Sequence, residues 1–327
     1  MPRFLAALAA LLALAGPAAA QEPAWPARPI TIMGGFPAGA GTDIYARKLA
    51  EPLSQALGVP VVVDARTGAG GNIASDLVAK ARPDGYTFLL ATAGTHAINP
   101  ALYKSLPFDA LRDVTHVALL GDVPNVLLVN PQKFPALATC QDLLAAARAR
   151  PGALNYGSTG NGASGHLAAV QFATAAGLDL VHIPYRGQGP AMTALLAGDV
   201  AFFFNQSGPS IAAVQQGQVR ALAVTTARRL AALPEVPTVA EACGLAGFDS
   251  STWYGLLAPP NLPAAIQERV SREVLRIIGE PAFRDWLVTS QGITPPADAS
   301  PTAFRRVHEQ DMARWADVVR RSGATVD

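Results

Sequence analysis

An α/β fold in two lobes, each built on a parallel sheet with helices on both faces, is the class this sequence predicts. Three observations predict it. The chain has 327 residues, about twice an ordinary single domain. Short β-branched runs alternate with amphipathic helical stretches, the rhythm of strands buried on both faces. One stretch breaks that rhythm: residues 114–129 hold two strands joined by little more than Gly121-Asp122-Val123-Pro124, as a chain crossing between lobes requires. Composition narrows the class further. Half the residues are apolar and 15% are charged, which excludes a disordered chain. Lys+Arg 25 against Asp+Glu 24 gives a net charge of +1, so no basic surface marks a nucleic acid as partner.

The elements follow in order. Residues 1–20 read as a signal peptide: Arg3 supplies the positive end, residues 4–15 are an apolar run too short to span a bilayer, and Ala18-Ala19-Ala20 offers cleavage after Ala20. No cysteine follows that point, which argues for a soluble periplasmic product over a lipid-anchored one. Loss of Arg3 leaves 24 basic and 24 acidic residues, a neutral mature chain. No second run long enough to cross a membrane follows. Strands are predicted at 29–33, 60–63, 86–90, 114–120 and 126–129, with a helix at 42–57 ended by Gly58. Next come a helix at 139–149 and strands at 154–156, 180–184, 200–204 and 221–225. A second crossing is placed at 251–257, after the Pro/Gly-rich segment 233–247. Helices at 263–278, 281–288 and 301–321 complete the chain. Lobe one is therefore expected to comprise 21–122 and 252–327, and lobe two 123–251. Cys140 and Cys243 stand 103 positions apart with no CxxC or metal-ligand spacing. An oxidising compartment permits a bridge, but two free, half-buried thiols are expected.

Three glycine loops follow strands and open helices: Gly34-Gly35-Phe36-Pro37-Ala38-Gly39-Ala40-Gly41-Thr42, Thr67-Gly68-Ala69-Gly70-Gly71-Asn72, and Gly157-Ser158-Thr159-Gly160-Asn161-Gly162-Ala163-Ser164-Gly165-His166. Glycine lets backbone N–H groups approach a ligand, and a helix N-terminus adds partial positive charge. Such loops bind anions without lysine or arginine. The third loop contains a formal GxGxxG at 160–165. The acidic residue of a dinucleotide site is absent from the far end of the next strand, which reads Pro184-Tyr185-Arg186, so only an NADP-type reading through Arg186 survives. No GxSxG, Walker A, HExxH or SxxK motif occurs, and the five histidines lack zinc spacing. No catalytic residue, metal or cofactor is expected. His96 and His166 sit beside loops, and Arg186 and Asn205 end strands where ligands gather in open α/β sheets.

The loops beside Gly85-Tyr86, together with Gly94-Thr95-His96-Ala97-Ile98-Asn99-Pro100, Ile183-Pro184-Tyr185-Arg186-Gly187 and Leu233-Pro234-Glu235-Val236-Pro237-Thr238-Val239-Ala240-Glu241-Ala242, resemble the Bug family. These are extracytoplasmic receptors of tripartite tricarboxylate transporters. The resemblance runs from about Pro26 to the last helix. It implies a type II periplasmic-binding-protein fold, closing on a small carboxylate such as a di- or tricarboxylate or an aromatic acid. It also implies delivery to membrane permease subunits, and a monomer is expected. In such receptors the first loop, here Phe36, Pro37, Ala38, Gly39, Gly41 and Thr42, holds waters bridging to one carboxylate. Ser158, Thr159, Gly162, Ala163, Ser164 and His166 would hold the other end, with Thr92, Gly94, Thr95 and His96 lining the same cleft. Two departures stand out. Asn205 replaces the aspartate common after the strand at 200–204, which disfavours an ammonium-bearing ligand, and Met33-Gly34-Gly35 replaces a common Val-Pro. A sensor that presents its ligand to a histidine kinase, and an NADP-dependent enzyme, are the alternatives weighed.

Overall fold

In a computed structural model, residues 25–322 and 325–326 are described; the expected signal peptide and its cleavage point lie outside them. Ten strands form two sheets. The first contains β1 (Ile30–Gly34), β2 (Val61–Ala65), β3 (Thr87–Thr92), β4 (Thr115–Val123) and β10 (Thr252–Ala258), in the order β2-β1-β3-β10-β4. The second contains β5 (Asn125–Val129), β6 (Asn155–Ser158), β7 (Val181–Pro184), β8 (Phe202–Gln206) and β9 (Arg220–Val224), in the order β7-β6-β8-β5-β9. Residue 124 alone separates β4 from β5, so the chain changes sheets there, and it returns between β9 and β10.

The sheets are mixed, not parallel as expected. β10 runs antiparallel to β3 and β4, and β5 antiparallel to β8 and β9. These are the two strands that follow a crossing. The other strands point their carboxyl ends at the gap between the sheets. A strand arriving from the opposite sheet enters at that gap and must run the other way.

Packing follows the side-chain periods. In β8, Phe202 and Phe204 enter one core and Phe203 the other, the two-residue alternation of a strand buried on both faces. Helices α1 (Gly41–Leu57) and α9 (Ala264–Gly279) cover one face of the first sheet, and α2 (Asn72–Ala79), α3 (Asn99–Leu102) and α11 (Pro301–Ser322) the other. Between α9 and α11 lies the short α10 (Pro281–Asp285). On α9, Val270, Val274, Ile277 and Ile278 are buried while Arg272 and Arg276 face outward, the helical period in its ordinary form. On the second sheet, α4 (Cys140–Ala149), α5 (Ser164–Ala176) and α8 (Val239–Cys243) pack on one face, and α6 (Gln188–Ala197) and α7 (Ser207–Gln215) on the other. No helix among the described residues is long and apolar enough to cross a membrane.

Cys140 and Cys243 are bonded to each other, not free. The start of α4 lies beside the end of α8, which brings their Cα atoms to 5.3 Å, inside the range a disulfide spans. The bond closes a loop of 103 residues, a long constraint on the unfolded chain. Reduction is expected to cost about 2–4 kcal/mol of stability. Thermal melts with and without reductant check this, and superimposable melts would show that the bond contributes nothing.

Candidate functional site

The carboxyl ends of the two sheets face a cavity of about 490 Å³, a volume ordinary for a small-molecule site. Five helices begin on its wall: α1, α2, α5, α6 and α7, through residues Ala40, Gly71, Ala163, Gly187 and Gln206. None has a side-chain cap at its start. The two capping boxes, Thr139 with Asp142 on α4 and Thr238 with Glu241 on α8, lie away from the cavity. A helix start leaves backbone N–H groups without intrahelical partners. Here those groups are left open where an anion would sit, one set from the first lobe (α1) and one from the second (α5).

The lining is nearly free of charge. Arg186 is the one charged side chain on it among the described residues. Aromatic surface comes from Phe36, Tyr103 and Tyr185. Two buried polar atoms on the wall lack a protein partner: Thr42 Oγ1 and Asn125 Nδ2. The Asn125 Oδ1 accepts from Ser164 Oγ at 3.2 Å, which ties the start of β5 to the start of α5. Across the mouth the lobes approach closely: a methyl group on Gly187 would stand 3.5 Å from Pro37. Near the crossings, the Tyr254 hydroxyl donates to Gln206 Oε1 at 2.8 Å, joining the two sheets.

Of the residues expected at the site, Phe36, Pro37, Thr42, Thr92 and Gly94 line the cavity from the first lobe. Thr159, Gly162, Ala163, Ser164, Arg186 and Asn205 line it from the second. The rest do not, each for a visible reason. Ala38 and Gly39 lie exposed on the loop, whose Gly39 N–H turns back to Asp43 at 3.0 Å. Gly41 faces the crossing, where a Cβ would stand 2.7 Å from the Tyr254 hydroxyl. Thr95 donates to the Thr92 carbonyl at 3.0 Å. His96 is fully buried, with its carbonyl accepting from His308 Nε2 at 3.0 Å. That bond leaves His308 Nδ1 as the acceptor for His116 Nε2 at 2.9 Å, so two neutral rings, His116 and His308, form a hydrogen-bonded chain that ends on the His96 backbone carbonyl. Ser158 is likewise buried, with Oγ 2.6 Å from His182 Nε2 and accepting the Gly160 N–H at 3.1 Å.

His166 supports the site from behind. Its Nδ1 accepts the Gly162 N–H at 3.1 Å, and its ring stacks on His182 with centroids 4.0 Å apart. Burial, with the His182 ring beside it, pushes His166 down to about 3. An imidazole that accepts a backbone N–H must stay neutral, so geometry and proton affinity agree.

Several wall residues were not anticipated, among them Tyr103, Asn125, Gln206 and Val326. Asn125 carries a readable signal, an amide at the mouth of the apolar run Val126-Leu127-Leu128-Val129. Val326 carries none, since it reaches the wall only by bridging to Tyr103. The second glycine loop, noted for its composition, contributes Thr67, Gly68, Ala69, Gly70 and Gly71. Among the described residues no group of three or more His, Cys, Asp or Glu is placed to hold a metal.

The chain matches the model of the tripartite tricarboxylate transporter family receptor over residues 45–324. It is 37% identical over 326 residues to protein BugT of Bordetella pertussis, covering 99% of this chain and 98% of that one. Among solved structures, it is similar to R. palustris Rpa4515 with adipate, at TM-score 0.87 and 35% identity over 92% of this chain and 100% of that one. It is also similar to MatC from Rhodopseudomonas palustris with bound malate, at TM-score 0.83 and 31% identity over 90% and 100%.

Proposed function

Because the chain belongs to the tripartite tricarboxylate transporter receptor family, we propose that it captures a small carboxylate in the cleft and delivers it to the membrane permease subunits of such a transporter. It binds and releases without chemical conversion, as a monomer in the periplasm, after removal of residues 1–20. The observation that carries this reading is the convergence of uncapped helix starts from both lobes on a cavity whose one charged side chain among the described residues is Arg186. The adipate and malate held by two solved relatives support it. The lobe division that goes with it assigns 21–122 and 252–327 to one body and 123–251 to the other, supported by the change of sheet at residue 124. The ligand contacts proposed are the backbone of Gly162, Ala163 and Ser164 with Thr159 and Arg186 on one side, and Phe36, Pro37, Thr42, Thr92 and Gly94 on the other.

A thermal-shift panel of mono-, di- and tricarboxylates and aromatic acids tests the reading, with neutral sugars as controls. A carboxylate at a hundred times its Kd stabilises the folded state by about 2.7 kcal/mol. Stabilisation by sugars alone would overturn the proposal. Closure is tested separately by small-angle scattering. The close approach of Pro37 and Gly187 is that of a shut cleft, so the free protein is expected to have the larger radius of gyration, with hinge rotation about the crossings on binding. An unchanged radius at saturation would count against hinge closure.

A further inference from the structure

The side chain of Asn205 faces the cleft with an acceptor, not a donor, and this sets a second requirement on the ligand. Asn205 is the penultimate residue of β8 and is buried on the cavity wall. Its Nδ2 donates to Ser210 Oγ at 3.1 Å. Ser210 fixes that direction, because its own hydroxyl proton goes to the Gln206 carbonyl at 2.7 Å, leaving only lone pairs for Asn205. A hydroxyl has one proton to give, so the amide cannot turn round without setting two acceptors face to face, at Asn205 Oδ1 or at the Gln206 carbonyl. The carbonyl oxygen Oδ1 is therefore the free end of the amide. The neighbouring strand presents the opposite polarity. Asn125, fully buried at the start of β5, has its Nδ2 unpartnered beside the start of α5, suited to a carboxylate oxygen.

We propose that the cleft selects carboxylates that also carry a neutral hydrogen-bond donor, a hydroxyl or a carboxamide, and that Asn205 Oδ1 reads that donor. The inference rests on the carboxylate reading given above. A second carboxylate at this point would set its oxygens against Oδ1 with no proton between them. An ammonium would meet a wall with no carboxylate on it among the described residues, and would share the cavity with Arg186 and the positive ends of the helices. A neutral donor meets neither obstacle. Ser210 is the positioning residue, since it touches no ligand and acts by holding the amide.

Calorimetric titration of the mature chain with one carbon skeleton at a time tests this. The probes are succinate, malate, succinamate and aspartate, with terephthalate and its monoamide as a longer pair. Malate or succinamate, or the terephthalate monoamide, is expected to bind about tenfold or more tighter than the parent diacid, the size of one gained hydrogen bond and one avoided unpaired acceptor, with aspartate weaker than malate. Ser210→Ala, which frees the amide to rotate, is expected to shrink that preference several-fold, chiefly by improving the diacids. Asn205→Ala should abolish it, and melting of each free variant checks that it is folded. Diacids that bind as tightly as their hydroxyl or amide counterparts would overturn this inference and leave the carboxylate reading standing, as would a preference that survives both variants. Failure of every acid to bind would overturn the carboxylate reading and this inference with it.

Discussion

Gly165→Ala is expected to reduce carboxylate affinity a hundredfold or more and to destabilise the fold as well. Gly165 is the second residue of α5, where the helix start presses on β8. An alanine Cβ there would collide with the Phe204 carbonyl oxygen, and the Phe203 ring lies 3.8 Å away. Both α5 and β8 are main-chain elements of the core, so neither can yield as a flexible side chain does. The helix start must move outward, taking with it the Ala163 and Ser164 backbone proposed to meet the carboxylate. Hydrogen bonds weaken steeply with such displacement, and losing two or three charge-assisted ones amounts to several kcal/mol. Overpacking adds about 1–3 kcal/mol of lost stability. Gly189→Ala is the control. Gly189 holds the same second position in α6, and nothing stands within 4 Å of its added Cβ. It should keep its affinity and gain a little stability from the glycine replaced in a helix. Titration and melting of both variants decide the matter. Unchanged binding by Gly165→Ala would mean that the start of α5 does not hold the ligand.

The contrast between these two glycines shows what was legible in the sequence. Gly165 and Gly189 both open helices after strands and look alike as letters; only the position of the Phe204 carbonyl separates them. The elements themselves were readable, because strands such as Phe202–Gln206 and helices such as Ala264–Gly279 announce themselves by period and by flanking glycine or proline. The crossing at residue 124 was readable too, from two strands with no helix between them. What composition could not give was the reversal of β5 and β10, which depends on the gap from which each strand enters its sheet. Nor could it give the direction of side chains within a loop. Ser158 and Thr159 are neighbours of similar chemistry, yet one binds His182 in the interior and the other lines the cavity. His96 and His166 looked like ligand donors because they flank loops. Their rings instead belong to two buried clusters whose members lie as far apart in the chain as His96 and His308. The disulfide was hidden for the same reason, since it depends on α4 meeting α8 across 103 residues.

Those buried histidines make the fold acid-labile over a defined window. All five lie below the ordinary imidazole value, with burial the leading cause in each. His116 and His166 are pushed down to about 3, and His182 to about 4. The unfolded chain takes up these protons near pH 6.5, while the folded chain resists until pH 3–4. The unfolded state therefore binds more protons between those limits, so stability is complete above pH 6.5 and falls as pH drops through the window. Each such histidine costs about 1.4 kcal/mol per pH unit. Three of them cost on the order of 6 kcal/mol by pH 5, comparable with the whole stability of an ordinary domain. Asp311, raised by burial, and Asp122, raised to about 6 by burial and by Asp249 and Asp311 beside it, work in the opposite sense. They gain stability as pH falls and moderate the slope without reversing it. Denaturant titrations at pH 7.5, 6.5, 5.5 and 5.0 should show this fall. Replacing His182 with phenylalanine, which keeps the stack on His166 but cannot take a proton, should flatten it. Protonating His166 also removes the acceptor of the Gly162 N–H, so the glycine loop loses its support and carboxylate affinity should decline along with stability. Constant stability from pH 7.5 to 5.0 would show that these rings take up protons in the folded chain, and that the two histidine clusters are not the neutral, closed structures described.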